Sequence, residues 1–161
     1  MIRKATLEDL PTILPIYATA RAYMRAHGNT VQWDGIDAPE PKLAHDIELG
    51  QLYVLEEDAT IHAVFAFIIG DDPLYERIDD GAWCSDRPYG TIHRLGSDGK
   101  TKNVLDKVID WAMTQIDHLR ADTHESNFTV QRALEKSGFL RQGTIYVEDG
   151  TPRIAFEKMK R

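Results

Sequence analysis

The residues from Tyr89 to Phe139 constrain the fold more than any other part of the chain, because they predict two strands that each lead into a helix. A β-type run at Tyr89–Leu95 precedes a polar turn, and apolar residues then recur with a helical period from Val104 to Ile116. The strand Leu119–Asp122 leads into a second helix, which ends before Gly138-Phe139. A polar loop that enters a helix after a strand presents free backbone N–H groups and the positive helix end. This order therefore predicts an α/β protein with a cradle for a phosphate-bearing ligand.

The composition predicts a single globular domain over residues 1–161 and excludes several functional classes. A net charge of −7 argues against general nucleic-acid binding and against anionic membranes, which both depend on basic patches. No apolar run approaches the roughly 20 residues needed to span a bilayer. Cys84 is the single cysteine, so an internal disulfide is impossible, and the first residues lack the apolar core of a signal peptide. We therefore expect a cytoplasmic protein.

The remaining segments supply antiparallel hairpins and two further helices. The predicted strands are Met1–Ala5, the hairpin of Gln51–Glu56 with Thr60–Ile69, and the closing hairpin of Phe139–Val147 with Pro152–Met159. The predicted helices run from the cap at Thr6 to about His27 and from Pro41 to Leu49. Asn29–Pro41 and Asp71–Pro88 are expected to be irregular. Antiparallel hairpins together with one strand–helix–strand unit indicate a mixed α/β fold.

The chain resembles the GNAT superfamily of acetyl-CoA-dependent N-acetyltransferases over nearly its whole length. The segment from Asn127 to Phe139, with Leu134-Glu135-Lys136-Ser137-Gly138, is similar to the second cofactor segment of that family and is the most specific match. The opening Ile2–Leu10 and the hairpin at residues 51–69 match more weakly. The resemblance implies a central mixed, mostly antiparallel sheet of about six to seven strands flanked by about four helices.

The family mechanism implies where acetyl-CoA would bind. Two strands, here Thr91–Leu95 and Leu119–Asp122, separate at one end, and the pantetheine arm lies between them. Gly96 is well placed for the backbone irregularity that this arrangement needs. The residues that the resemblance assigns to the co-substrate are Leu95, Gly96, Lys100, Thr101, Lys102, Asn103, Val104, Leu105 and Asn127. Asn127 has an equally simple alternative role as the N-cap of its helix.

Three residues depart from the family pattern. The pyrophosphate loop of the family usually has Gln or Arg, two residues, Gly, one residue, and Gly or Ala, whereas Asn103 and Leu105 occupy those glycine positions here. Asparagine adopts a left-handed backbone, but leucine rarely does. Leu134 stands where the family often has a tyrosine that protonates the departing thiolate. The pyrophosphate loop is therefore degenerate relative to the family.

The candidate catalytic residues follow from the chemistry of amine acetylation, which needs a base for the amine and a proton donor for sulfur. His93 lies on the strand that should flank the thioester and is the candidate base, although it could simply be packed on the sheet. Water or Tyr146 would protonate sulfur. His124 could bind substrate or relay protons, or belong to a solvated turn. The spacing of His118, Asp122 and His124 does not support a metal site, so none is predicted.

Trp33, Trp83 and Tyr89 are the predicted walls of the substrate pocket, since aromatic faces can receive a cationic amine. The alternative is that they pack back on the core. The sequence thus predicts transfer of an acetyl group from acetyl-CoA to a primary amine of a small molecule or peptide by direct attack. The alternative is a non-catalytic binding or sensor module of the same fold that no longer uses acetyl-CoA. The terminal hairpin offers an edge through which two copies could pair as a homodimer.

Overall fold

The computed structural model describes residues 1–35 and 38–160 as one sheet flanked by helices. Residues 36 and 37 of the irregular segment Asn29–Pro41, and residue 161 of the expected domain, lie outside the described residues. The strands are β1 (Ile2–Lys4), β2 (Leu52–Glu57), β3 (Thr60–Ile69), β4 (Gly90–Ser97), β5 (His118–Thr123), β6 (Leu140–Tyr146) and β7 (Pro152–Met159). The helices are α1 (Leu10–Ala26), α2 (Leu43–Glu48), α3 (Val104–Gln115) and α4 (Phe128–Lys136). The predicted mixed α/β fold is confirmed.

The sheet order is β1-β2-β3-β4-β5-β7-β6, and β4–β5 is the parallel pair among otherwise antiparallel neighbours. This pair is short, because β4 and β5 are in register only at Gly90 with Leu119 and at Thr91 with Arg120. Beyond these two residue pairs the strands separate and leave a gap in the middle of the sheet. Gly90 also permits close packing against β3, since a Cβ there would lie 2.7 Å from ring carbons of Phe67.

A bulge in β4 lies at the start of this gap. Val64 pairs with Gly96 and Ala66 pairs with His93, so Phe65 lies opposite two residues of β4, Arg94 and Leu95. Arg94 has a left-handed backbone with φ of +54°. The irregularity expected at Gly96 is therefore located at Arg94, and that expectation was wrong in position.

Gly96 serves close packing instead. A Cβ at Gly96 would lie 3.0 Å from the ring of Tyr17 on α1 and 3.6 Å from Trp33. The aromatic rings of Tyr17 and Trp33 meet edge to face beside it, with centroids 5.3 Å apart. The glycine thus allows α1 to approach β4 closely at the level of the bulge.

Apolar residues on the two faces of the sheet form separate cores. Helices α1 and α2 cover one face over Ile13, Ile16, Tyr17, Leu43, Val54, Val64 and Ala66. Helices α3 and α4 cover the other face over Phe65, Phe67, Ile92, Val108, Ile109, Leu119, Leu134 and Phe156. Alternate residues of β3 therefore enter opposite cores, as the period of two requires.

Candidate functional site

A cavity of about 870 Å³ opens where β4 and β5 separate. This volume lies in the range of ligand pockets, about 300–1,000 Å³. Six of the predicted site residues line it: Trp33, His93, Leu95, Val104, Leu105 and Asn127. The cavity also receives residues from α1 and from the turn between β6 and β7, including Tyr23, Glu148 and Arg153. The structure thus joins the gap between the strands to a chamber on the α1 side of the sheet.

The other predicted site residues lie outside the cavity wall as far as the described residues define it. They are Trp83, Tyr89, Gly96, Lys100, Thr101, Lys102, Asn103, His124 and Tyr146. Some of these residues lie directly behind the cavity wall and others at its rim. Tyr146 lies on the edge strand β6.

His93 projects from β4 beside a carboxylate that the sequence interpretation missed. Its Nε2 lies 3.1 Å from Oδ2 of Asp72, and each side chain is 19% exposed. A nitrogen that faces a carboxylate must donate, so this contact assigns the Nε2–H form to neutral His93. No described residue hydrogen-bonds to Nδ1, so the lone pair of that nitrogen is free. In this form Nδ1 is the ring nitrogen that can accept a hydrogen bond or a proton.

Asp72 is fixed by two further contacts. Its Oδ1 accepts a hydrogen bond from the backbone N–H of Leu74 at 2.9 Å, which caps a short 3-10 turn at Pro73–Tyr75. Its own N–H donates to the hydroxyl of Tyr89 at 2.7 Å. Burial alone would raise the pKa of Asp72, but the hydrogen bond to His93 and the nearby positive charges outweigh it and lower that pKa. Asp72 is therefore held as a carboxylate. The Asp-Pro pair was the only sequence signal for this turn.

A second carboxylate, Asp122 of β5, lines the same cavity. The hydroxyl of Tyr75 donates to its Oδ2 at 2.7 Å. Burial, and then the Asp122 charge, raise the pKa of Tyr75 well above its ordinary range, so Tyr75 stays a neutral donor. Asp72 and Asp122, which both bind the segment Pro73–Tyr75, make this end of the cavity acidic, and Glu148 and Arg153 also line the cavity. Such an end attracts a cationic amine.

Tyr89 and Trp83 lie one layer behind the cavity wall. The hydroxyl of Tyr89 holds the backbone of Asp72, and the indole N–H of Trp83 donates to the carbonyl of Tyr75 at 2.8 Å. The guanidinium of Arg120 lies 4.1 Å from the Tyr89 ring centroid and 4.2 Å from that of Trp83. These rings thus support the segment that presents Asp72 and Tyr75.

Tyr146 and His93 are not brought together. Tyr146 is the last residue of the edge strand β6, and β5 and β7 lie between β6 and β4. The Tyr146 hydroxyl donates to Asp79 at 2.9 Å, and this hydrogen bond raises the pKa of Tyr146. A tyrosine bound in this way is a poorer proton donor.

His124 and Asn127 both belong to the start of α4. His124 accepts the Ser126 N–H at Nδ1 at 3.0 Å, which fits the turn alternative. Asn127 caps α4 by accepting the Val130 N–H at 3.2 Å. Its amide also donates to the side-chain oxygen of Gln32 at 3.2 Å, across the mouth of the cavity. Asn127 therefore performs the capping role and still lines the gap.

The loop before α3 uses a left-handed residue at one of the two family glycine positions. Asn103 has φ of +59° and begins α3, whereas Leu105 lies within the first turn of α3. An asparagine tolerates this conformation, and the helical position of Leu105 needs no glycine. The first N–H groups of α3 have no partner within the helix, as at every helix start. The degenerate sequence therefore still forms a loop that leads into a helix N-terminus.

Arg94 and Asp46 form an ion pair next to the bulge that sequence patterns did not indicate. The guanidinium of Arg94 makes three contacts of 2.8–3.1 Å with the carboxylate of Asp46 on α2. The side chains are 15% and 3% exposed. The Asp46 carboxylate also accepts a hydrogen bond from Gln51 at 3.0 Å.

The described residues 1–35 and 38–160 contain neither a helix that could cross a membrane nor a cluster of metal ligands. No helix there is long and apolar enough to cross a membrane. No three His, Cys, Asp or Glu side chains in those ranges come together as a set of metal ligands.

Comparison with known proteins identifies the fold. The sequence matches no protein-family model and no curated protein. A GNAT-family acetyltransferase from Streptococcus agalactiae 2603 superposes with a TM-score of 0.91 at 27% identity, over 100% of this chain and 95% of that one. A GNAT-family acetyltransferase from Listeria monocytogenes 4b F2365 gives 0.72 at 18% identity, over 99% and 94%. A ribosomal-protein-alanine N-acetyltransferase from Brucella melitensis gives 0.61 at 16% identity, over 99% of both chains. The protein has a GNAT-like fold, and these neighbours support a GNAT-type acyltransferase.

Proposed function

We propose that the protein transfers an acetyl group from acetyl-CoA to a primary amine. The observation that carries the proposal is the hydrogen-bonded pair of His93 and Asp72 in a cavity that is continuous with the gap between β4 and β5. The neighbours that share the fold are acetyltransferases, and one of them is a ribosomal-protein-alanine N-acetyltransferase. A small-molecule or peptide amine is therefore the acceptor that fits, and a cytoplasmic location is part of the proposal.

Acetyl-CoA would enter from the side of α3 and α4. Its pyrophosphate would meet the start of α3 after Asn103, with Lys100 and Lys102 nearby in sequence. Its pantetheine arm would lie in the gap between Leu95 and Asn127, against the apolar side chain of Leu134. The thioester would then stand at the bulge, opposite the acidic end of the cavity.

The reaction would proceed by direct attack. The amine nitrogen forms a bond to the thioester carbonyl carbon, and the amine proton passes to Nδ1 of His93. Asp72 stabilises the resulting imidazolium through Nε2. The tetrahedral intermediate then collapses, the carbon–sulfur bond breaks, and the thiolate takes a proton from water. Leu134 cannot supply that proton, and Tyr146 lies at the edge strand.

The acidic end of the cavity favours a cationic acceptor. Asp122 and Glu148 lie where an ammonium group would arrive before it loses its proton. The ammonium group releases this first proton to water, and His93 remains neutral to accept the second proton during the attack. We therefore expect polyamines, amino-acid esters or peptide N-termini to be better acceptors than neutral aromatic amines.

A non-catalytic module remains the second candidate, and one contact favours it. The amide of Asn127 is already bound to Gln32, and Leu134 replaces a proton donor. Such a module would bind a ligand in the cavity without turning it over.

Calorimetric titration with acetyl-CoA separates the two candidates, with desulfo-CoA as the control for the nucleotide half. Saturable binding of acetyl-CoA followed by amine-dependent thiol release supports the enzyme. His93→Ala should then lower kcat/KM by about a hundredfold. Absence of binding at millimolar acetyl-CoA contradicts the enzyme and favours the module.

A further inference from the structure

We infer that the Arg94–Asp46 ion pair is a positioning device that holds the β4 bulge in the shape that receives the acyl thioester. The inference rests on the proposed function, since it assigns a role to residues at the same gap. It concerns a bond between α2 and β4, formed by residues 48 positions apart in the chain. Neither residue is one that the chemistry of the transfer step requires.

The backbone conformation of Arg94 is the first observation that supports this role of the ion pair. Its φ of +54° lies in the left-handed region, where a side chain with a Cβ is disfavoured and glycine is the usual occupant. An arginine persists there only when its surroundings hold it in place. The bulge is therefore maintained by tertiary contacts and not by the local sequence.

The geometry of the pair shows what holds it. Arginine presents a planar fork of donors, and here Nε and Nη2 both reach the Asp46 carboxylate, at 2.8–3.1 Å. Asp46 is almost fully buried and takes a further bond from Gln51, which precedes β2. Helix α2 and the start of β2 thus fix the direction of the Arg94 side chain.

A second contact fixes the backbone of the same residue. The Tyr17 hydroxyl donates to the carbonyl of Arg94 at 2.7 Å, and Gly96 leaves the space that this ring needs. Residues 94 and 95 have no register partner on β3, and β5 has already separated from β4 at this level. Tyr17 therefore holds the Arg94 carbonyl, and Asp46 holds the Arg94 side chain, at the place where the thioester would lie.

The pair acts through the backbone, so its removal should affect the acyl group more than the nucleotide. A displacement of about 1 Å at a reacting centre can cost about a hundredfold in rate. We expect Arg94→Ala and Asp46→Asn to lower kcat by tenfold or more, with little change in affinity for CoA lacking the acetyl group. The preference for acetyl-CoA over CoA should shrink in both variants.

Three further variants make the test specific. Arg94→Gly removes the ion pair but adopts a positive φ without strain, so it should recover part of the kcat lost in Arg94→Ala. Arg94→Lys keeps the positive charge but lacks the planar fork of donors, so its kcat should also lie between those of the wild type and Arg94→Ala. Arg3→Ala is the matched control, because Arg3 lies on the edge strand β1 and binds both Asp9 and Glu56 there. It should lose stability without changing kcat or the preference for acetyl-CoA.

The measurements are calorimetric Kd values for acetyl-CoA and CoA, kcat and KM with a fixed amine, and thermal unfolding of each variant. Wild-type kcat and ligand preference in Arg94→Ala and Asp46→Asn would overturn the inference. So would an equal loss of affinity for acetyl-CoA and CoA, since that pattern indicates a general collapse of the cavity. If the wild-type protein itself binds no acetyl-CoA, the proposed function fails and the inference fails with it.

Discussion

Asp72→Asn tests the proposed base more sharply than removal of His93 itself. In the native protein Oδ1 of Asp72 accepts the Leu74 N–H and Oδ2 faces Nε2 of His93. An asparagine that keeps its oxygen on Leu74 must turn its NH₂ group toward His93. The imidazole then has to accept at Nε2 and carry its proton on Nδ1. The substitution therefore keeps the shape of the site but removes the free lone pair from the cavity.

The size of the effect follows from the contact. A hydrogen bond to a charged group is worth about 1.5–3 kcal/mol, and both side chains are only 19% exposed, so solvent screens it little. Each 1.4 kcal/mol or so corresponds to about tenfold in rate. We expect kcat/KM to fall by about tenfold to a hundredfold, before any further cost from the inverted tautomer.

The assay is thiol release from acetyl-CoA with a saturating amine, measured between pH 6 and 9. Asp71→Asn removes the same charge one residue earlier, from an exposed position, and is the matched control. The pKa of Asp72 is lowered in the folded protein, so Asp72 adds stability above its ordinary pKa and this contribution is lost as the pH falls through the folded value. Asp72→Asn should lose that acid-side dependence. An Asp72→Asn protein with kcat/KM within twofold of the wild type would refute the role given to the pair.

Substitutions at two further residues examine other parts of the site. Asn103→Ala should destabilise the protein by about 1 kcal/mol, because alanine is strained at the positive φ that asparagine tolerates. Asn103→Gly should be close to neutral, since glycine adopts this φ without strain. Thermal unfolding should therefore show a loss of roughly 2–4 °C in melting temperature for the alanine variant alone. Equal melting temperatures for the two variants would contradict the left-handed backbone at Asn103. Tyr146→Phe should change kcat less than twofold, since Tyr146 lies on the edge strand and its hydroxyl is hydrogen-bonded to Asp79. A larger loss in kcat would restore Tyr146 as the proton donor for sulfur.

The sequence predicted those parts of the fold that depend on periodicity. The apolar stripe of α3 and the alternating residues of β3 can be predicted from residue spacing alone, and these residues face the cores. Both elements lie where they were expected. The parallel strand pair followed from the polar turn and helix that separate β4 from β5. The family resemblance added the separation of those strands, which no local pattern specifies.

Features that depend on distant partners could not be predicted in the same way. Arg94 alternates like any strand residue, and its left-handed backbone is held by partners that are distant in the chain, Asp46 on α2 and Tyr17 on α1. Asp72 lies in a loop without a motif, and its role depends on His93, which is 21 residues away in the chain. Local propensity assigned the irregularity to Gly96, because glycine is the usual occupant of such a conformation, but Gly96 is needed for the ring of Tyr17. Tertiary contacts decided each of these positions.

The short parallel contact between β4 and β5 has a consequence for amide hydrogen exchange. Beyond Gly90 and Thr91, the backbone of β4 has no strand beside it on the β5 side. Amides on this flank should therefore exchange with solvent faster than those of β3, which has partners on both sides. A ligand arm in the gap would act as an eighth, non-peptide strand and protect those amides while it remains bound. Exchange rates along β4 would then record occupancy residue by residue, and would do so for an enzyme and for a silent binding module alike.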